Sequence, residues 1–113
     1  MIEKEIVLPA PREEVWEALT EPERLEDWFA NDVELDLRPG GGASFRWSNG
    51  EERSATVTEV DPERRLAFEW DDEGEVQFTL DDDGGGGTRL VVVESSPAWS
   101  TAIELQASAF ALV

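Results

Sequence analysis

The sequence predicts an α+β domain: a curved antiparallel sheet of about seven strands, in the order β-α-α-β6-α, around a long C-terminal helix. Three observations carry this. Two prolines, Pro11 and Pro22, each open a short helical pattern early in the chain. From Asp32 onward the apolar period changes to two, and turn residues recur too often for crossover helices. The last stretch, "AWSTAIELQASAFALV", carries Glu104 as its only charge, in a chain in which 32% of residues are charged.

The elements follow in order. "IEKEIVL" (Ile2 to Leu8) alternates imperfectly and reads as a first strand with Ile2, Ile6 and Leu8 toward a core. Pro11 suits a first helical position, with Glu13 and Glu14 at the positive end of the helix dipole. Thr20 and Glu23 have the spacing of a capping box and predict a second helix, with Leu25, Trp28 and Phe29 on one face. One continuous helix would hold Pro22 in its interior at a cost of about 3 kcal/mol, so two are expected.

"DVELDLR" then alternates Val33, Leu35 and Leu37 against charged residues, a half-buried strand. Pro39-Gly40-Gly41-Gly42 turns the chain into "ASFRWS", and Asn49-Gly50 predicts a type I′ hairpin. "RSATVTEVD", "RLAFEW", "EVQFTL" and "TRLVVVE" supply the remaining strands. Ser96-Pro97 repeats the helix-opening signature, and a helix from Pro97 to Val113 would be about 25 Å long. Apolar on most of its girth, it must be covered on most of its girth.

Composition narrows function. At 113 residues the chain is expected to form one domain, residues 1–113. It has no cysteine, histidine or tyrosine. That removes disulfides and His-based nucleophilic triads, and leaves only oxygen-ligated cations open. No metal site and no cofactor is expected. The net charge of −18, from 27 acidic against nine basic residues, argues against nucleic acid and anionic membranes, and accounts for solubility. With no long apolar run, membrane insertion is not expected. "MIEKEIVLP" lacks a signal-peptide layout, so the chain reads as cytoplasmic.

The segments "LPAPREEVWEALTEPERLEDWF", "LRPGGGASFRW", "EVDPERRLAFEW" and "GTRLVVVESS" together resemble the family related to the C-terminal domain of the heat-shock-protein-90 ATPase activator. That family lies within the START-like (SRPBCC) superfamily, with polyketide cyclases, lipid-transfer domains and the birch-pollen allergen. The resemblance runs from about Ile2 to Ser96 and implies the helix-grip fold: a sheet curled about the C-terminal helix, with a cavity that in relatives can hold an apolar or amphipathic molecule. It supplies no shared catalytic motif.

Strand alternation proposes the side chains that face the helix: Phe45, Trp47, Val57, Phe68, Trp70, Phe78, Leu80, Leu90 and Val92. Trp99, Ile103 and Phe110 answer them from the helix. These residues form either a solid core or, given five Trp and five Phe, the wall of a ligand pocket. Glu59 continues the phase of Ala55 and Val57, and Glu94 that of Leu90 and Val92. Both are read as inward polar handles, unless a strand end or a bulge turns them to water. Arg46 and Arg53 flank the Asn49-Gly50 turn, placed to meet a ligand carboxylate or simply to pair with neighbouring acids. Asp81-Asp82-Asp83 lacks the spacing of a calcium loop and reads as a solvated, mobile hairpin tip.

The leading expectation is binding of a small hydrophobic or amphipathic ligand between sheet and helix, with no assigned catalysis. The alternatives are a co-chaperone-like interaction module and a small cyclase or lyase using Glu59 or Glu94. A second apolar stripe of the tail, Ala102, Leu105, Ala109 and Leu112, is also placed to form a homodimer contact.

Overall fold

The computed structural model of the protein describes residues 2–72, 74–95 and 99. Strand β1 (Ile2–Leu8) leads to helices α1 (Arg12–Thr20) and α2 (Pro22–Trp28). Six strands follow: β2 (Asp32–Leu35), β3 (Gly42–Arg46), β4 (Glu52–Asp61), β5 (Arg65–Trp70), β6 (Glu75–Asp82) and β7 (Thr88–Glu94). All pairings are antiparallel, in the order β1-β7-β6-β5-β4-β3-β2. The fold is therefore α+β, with a curved seven-stranded sheet and two helices among the described residues. The predicted long C-terminal helix lies outside the described residues, save for Trp99.

The two helices are separate because Glu21 is extended, at φ −86° and ψ 123°. Its N–H donates to the Glu17 carbonyl and ends α1, while its own carbonyl accepts from Arg24 and Leu25 and starts α2. Pro22, with no N–H to place, fits the first turn of α2. The predicted capping box is not formed. The Thr20 hydroxyl donates instead to the Trp16 carbonyl at 2.7 Å, because Thr20 is still inside α1. Pro11, likewise, is the N-cap residue of α1 and Arg12 its first helical residue.

Two further expectations are corrected. The strand expected over "DVELDLR" stops at Leu35, and Leu37 is among the exposed large apolar side chains. Past Asp36 the chain folds on itself: Arg38 N–H donates to the Asp36 carbonyl and Gly41 N–H to that of Arg38. The β3–β4 hairpin is not type I′. Gly50 has φ +93° but Asn49 does not have positive φ. Gly50 N–H donates to the Trp47 carbonyl, and Trp47 N–H to that of Glu51, the pattern of a three-residue loop whose left-handed position is glycine. The Asn49 side chain accepts the Glu51 N–H at 2.9 Å, favouring this turn over the two-residue one.

The Pro39–Gly42 loop packs against β4. Gly40 N–H donates to the Val57 carbonyl at 2.7 Å, and Val57 N–H to that of Gly41 at 2.8 Å. A Cβ on Gly41 would lie 2.1 Å from the Asp36 carbonyl oxygen, a backbone atom unable to swing aside. Gly41→Ala is expected to destabilise the fold by roughly 1–3 kcal/mol through this overpacking. A denaturant midpoint unchanged from the wild type would contradict the geometry.

Candidate functional site

The inner face of the sheet and the two helices enclose one continuous apolar cluster. Of the side chains expected to line a pocket, Phe45, Val57, Phe68, Trp70, Phe78, Leu80, Leu90 and Val92 are buried in it, as is Trp99. Trp47 packs against its rim, half-buried, with its indole N–H donating to the Phe29 carbonyl at 2.7 Å. Ile103 and Phe110 lie outside the described residues.

Trp99 is the centre of the arrangement. Its ring is stacked on Phe29, with centroids 3.8 Å apart and planes at 9°, and lies parallel to Phe68 at 5.8 Å. Phe45 and Phe78 meet it edge-on at 5.5 and 5.2 Å, and Trp28 at 5.9 Å. Offset and edge-to-face packing of this kind adds to the area term of burial. Trp28 and Phe29 are the site residues that strand alternation did not supply. Their signal was the shared face of α2, which pointed to the core without indicating which ring it would meet.

The two predicted acidic handles separate. Glu94 is 1% exposed, and its carboxyl Oε1 accepts the backbone N–H of Trp99 at 2.8 Å. A charged or polar side chain this deep needs such a partner. Glu59, by contrast, does not face the interior. A register shift between Val57 and Glu59 inserts Thr58 as an extra residue, so that Val57 faces Phe68 while Glu59 pairs with Ala67 and Val60 with Leu66. Val60 takes the inward place, and Glu59, its side chain 45% exposed, pairs with Arg65 at 3.0 Å.

The arginines at the hairpin pair with acids. Arg46 lies 3.6 Å from both Asp32 and Glu52, and Arg53 lies 3.2 Å from Asp72 with its guanidinium 3.8 Å over the Trp70 ring. No group of three or more acidic side chains among the described residues is placed to hold a metal ion. At the β6–β7 tip, the Asp83 carboxyl accepts the N–H groups of Gly85 at 2.7 Å and Gly87 at 2.9 Å, so the expected mobile tip is tied down at its base.

Those bonds, Gly85 first, hold the Asp83 pKa below its ordinary 3.8. A lowered folded value means the interaction is complete above 3.8 and is lost as the pH falls through the folded pKa. The Gly85 and Gly87 amide resonances are therefore expected to move together with a midpoint below pH 3.8, and to lose that shared transition in Asp83→Ala. Titration at or above that value would contradict the assignment.

Two helices on a curved seven-stranded antiparallel sheet, enclosing an aromatic interior, define a domain of the START-like superfamily. The model of the activator of Hsp90 ATPase homolog 1-like protein family matches residues 9–109, and the chain belongs to that family.

Solved structures agree with the fold. CalU16 from Micromonospora echinospora is 27% identical with a TM-score of 0.73, over 96% of this chain and 71% of that one. Protein NE0264 from Nitrosomonas europaea is 22% identical with a TM-score of 0.79, over 98% and 94%. The Aha1 dimer from Colwellia psychrerythraea is 21% identical with a TM-score of 0.73, over 98% and 90%. No curated protein matches the chain. Fold and family together fit a ligand-binding or interaction module. No helix among the described residues is long and apolar enough to cross a membrane.

Proposed function

We propose that this domain binds a small hydrophobic or amphipathic molecule in its interior, between the sheet and the C-terminal segment that begins near Trp99. The observation that carries the reading is the convergence of Trp28, Phe29, Phe45, Phe68 and Phe78 on Trp99, beside the buried carboxyl of Glu94. Ligand sites are lined mainly by apolar and aromatic groups with a few placed polar ones, and this cluster has that composition. Catalysis through Glu59 loses its support, since that carboxyl is committed to Arg65 at the surface.

Native mass spectrometry of the purified protein tests the reading, followed by titration with the neutral probe N-phenyl-1-naphthylamine. The expected result is a co-purifying small molecule released on denaturation, or saturable enhancement of probe fluorescence that is reduced in Phe68→Ala. A bare chain mass together with no saturable probe binding would overturn it.

A second reading is an interaction module that assembles with itself or another protein, with the Aha1 dimer from Colwellia psychrerythraea as its motive. The same spectrum decides on self-assembly: a dimer mass that persists on dilution supports it, and a monomer mass alone at micromolar concentration removes it.

A further inference from the structure

Asn49 and Gly50 stand at the tip of the β3–β4 hairpin, and both are exposed. An asparagine followed by glycine carries chemistry of its own. The backbone nitrogen of the glycine is one ring closure away from the side-chain amide carbon, and without a Cβ it is open to that approach. The rest of the molecule leaves the position clear, since a Cβ built on Gly50 would have nothing within 4 Å.

We propose that Asn49 is a site of self-modification, at which the loop deamidates. Gly50 N attacks Asn49 Cγ, so that the N–Cγ bond forms and the Cγ–Nδ2 bond breaks. The Gly50 amide proton leaves with the side-chain nitrogen as ammonia. Water then opens the resulting succinimide ring. Attack at Cγ leaves aspartate in an ordinary backbone, and attack at the Asn49 backbone carbonyl leaves isoaspartate, with the chain running through Cγ. Nothing is oxidised or reduced.

The fold decides which residue reacts. Gly50 N–H donates to the Trp47 carbonyl at 3.0 Å and Glu51 N–H to Asn49 Oδ1 at 2.9 Å, and both bonds must open for the ring to close. At an exposed tip such opening is cheap, so they slow the reaction without preventing it. Asn31 is the other asparagine of the chain. Its Oδ1 accepts the Ser48 N–H at 2.7 Å, and the nitrogen that would attack belongs to Asp32, which has a Cβ and is paired with Arg46 in the sheet. Asp83-Gly84 has the spacing for the same ring. The Asp83 carboxyl, however, is held by the N–H groups of Gly85 and Gly87, which keep it ionised, and a carboxylate is a poor electrophile.

The change reaches the rim of the apolar cluster through Trp47. Trp47 N–H donates to the Glu51 carbonyl across this loop at 2.9 Å, and its indole N–H holds the Phe29 carbonyl. Isoaspartate adds a backbone carbon between those two loop ends and shifts Trp47. Either product adds a negative charge beside Glu51 and Glu52.

Ageing the purified chain at mildly alkaline pH, with peptide mapping by mass spectrometry, tests the site. Aspartate and isoaspartate are expected at position 49 before any change at Asn31 or Asp83. The folded chain should convert roughly tenfold more slowly than the chain in urea, as a loop that must open first requires. Earlier modification at Asn31 or Asp83 would overturn the proposal, as would Asn49 staying intact while the urea sample converts. Asn49→Ser keeps an oxygen acceptor at the tip and removes the amide. In 15N-labelled protein the Trp47 indole resonance, identified with Trp47→Phe, should split on ageing in the wild type and stay single in Asn49→Ser. A single wild-type resonance while isoaspartate accumulates would overturn the link to Trp47.

Discussion

Trp99→Ala is expected to lower the unfolding free energy by roughly 3–5 kcal/mol, the usual cost of removing a large aromatic side chain from a packed interior. Domains of this kind are stable by about 5–15 kcal/mol in all, so the variant would stand near the edge of folding. The magnitude follows from the burial: the ring is fully enclosed and touches Trp28 of α2, Phe29 just past it, Phe45 of β3, Phe68 of β5 and Phe78 of β6. Phe29, one residue past α2, would lose its stacking partner. Urea unfolding followed by circular dichroism measures the change, and the slope should stay near that of the wild type. A loss under about 1 kcal/mol would show that the ring does not sit in the core.

Glu94→Ala should cost about 2–4 kcal/mol, and Glu94→Gln less than half as much. The carboxyl accepts the buried backbone N–H of Trp99, and alanine leaves that donor without an acceptor as well as opening a void. Glutamine retains an oxygen at the same reach. Two opposing effects are in play, because removing a buried acidic group also removes its desolvation cost. The orphaned N–H decides the sign, since alanine supplies no acceptor in place of the carboxyl. Equal stability of the alanine and wild-type proteins would mean that Glu94 does not anchor Trp99.

Much of this architecture was legible in the residues, and the departures are local. The period-two pattern placed β3 through β7 and nearly all of their inward side chains, because alternation across a strand is a property of the chain itself. Pro22 marked the break between the helices for an equally local reason, its missing N–H. The capping box at Thr20, by contrast, was a sequence pattern that the backbone did not use, since α1 kept Thr20 as its last residue.

The candidate site divides along the same line. Glu94 and Trp99 were marked as inward by phase, and both are buried. Glu59 had the same phase argument and is turned out, because one extra residue at Thr58 reverses the alternation of everything after it. Nothing in "ATVTEV" announces that extra residue. It is settled by the pairing of β4 with β5, where Val60 gains burial opposite Leu66 and Glu59 gains Arg65. By itself, then, the sequence determined which elements form and which faces are apolar, since propensity and periodicity act over a few neighbours. Only the tertiary structure decided that Trp99 lies on Phe29 and that its indole N–H has no acceptor among the described residues. Those facts depend on groups distant in the chain meeting in three dimensions, where the desolvation of a polar atom is first imposed.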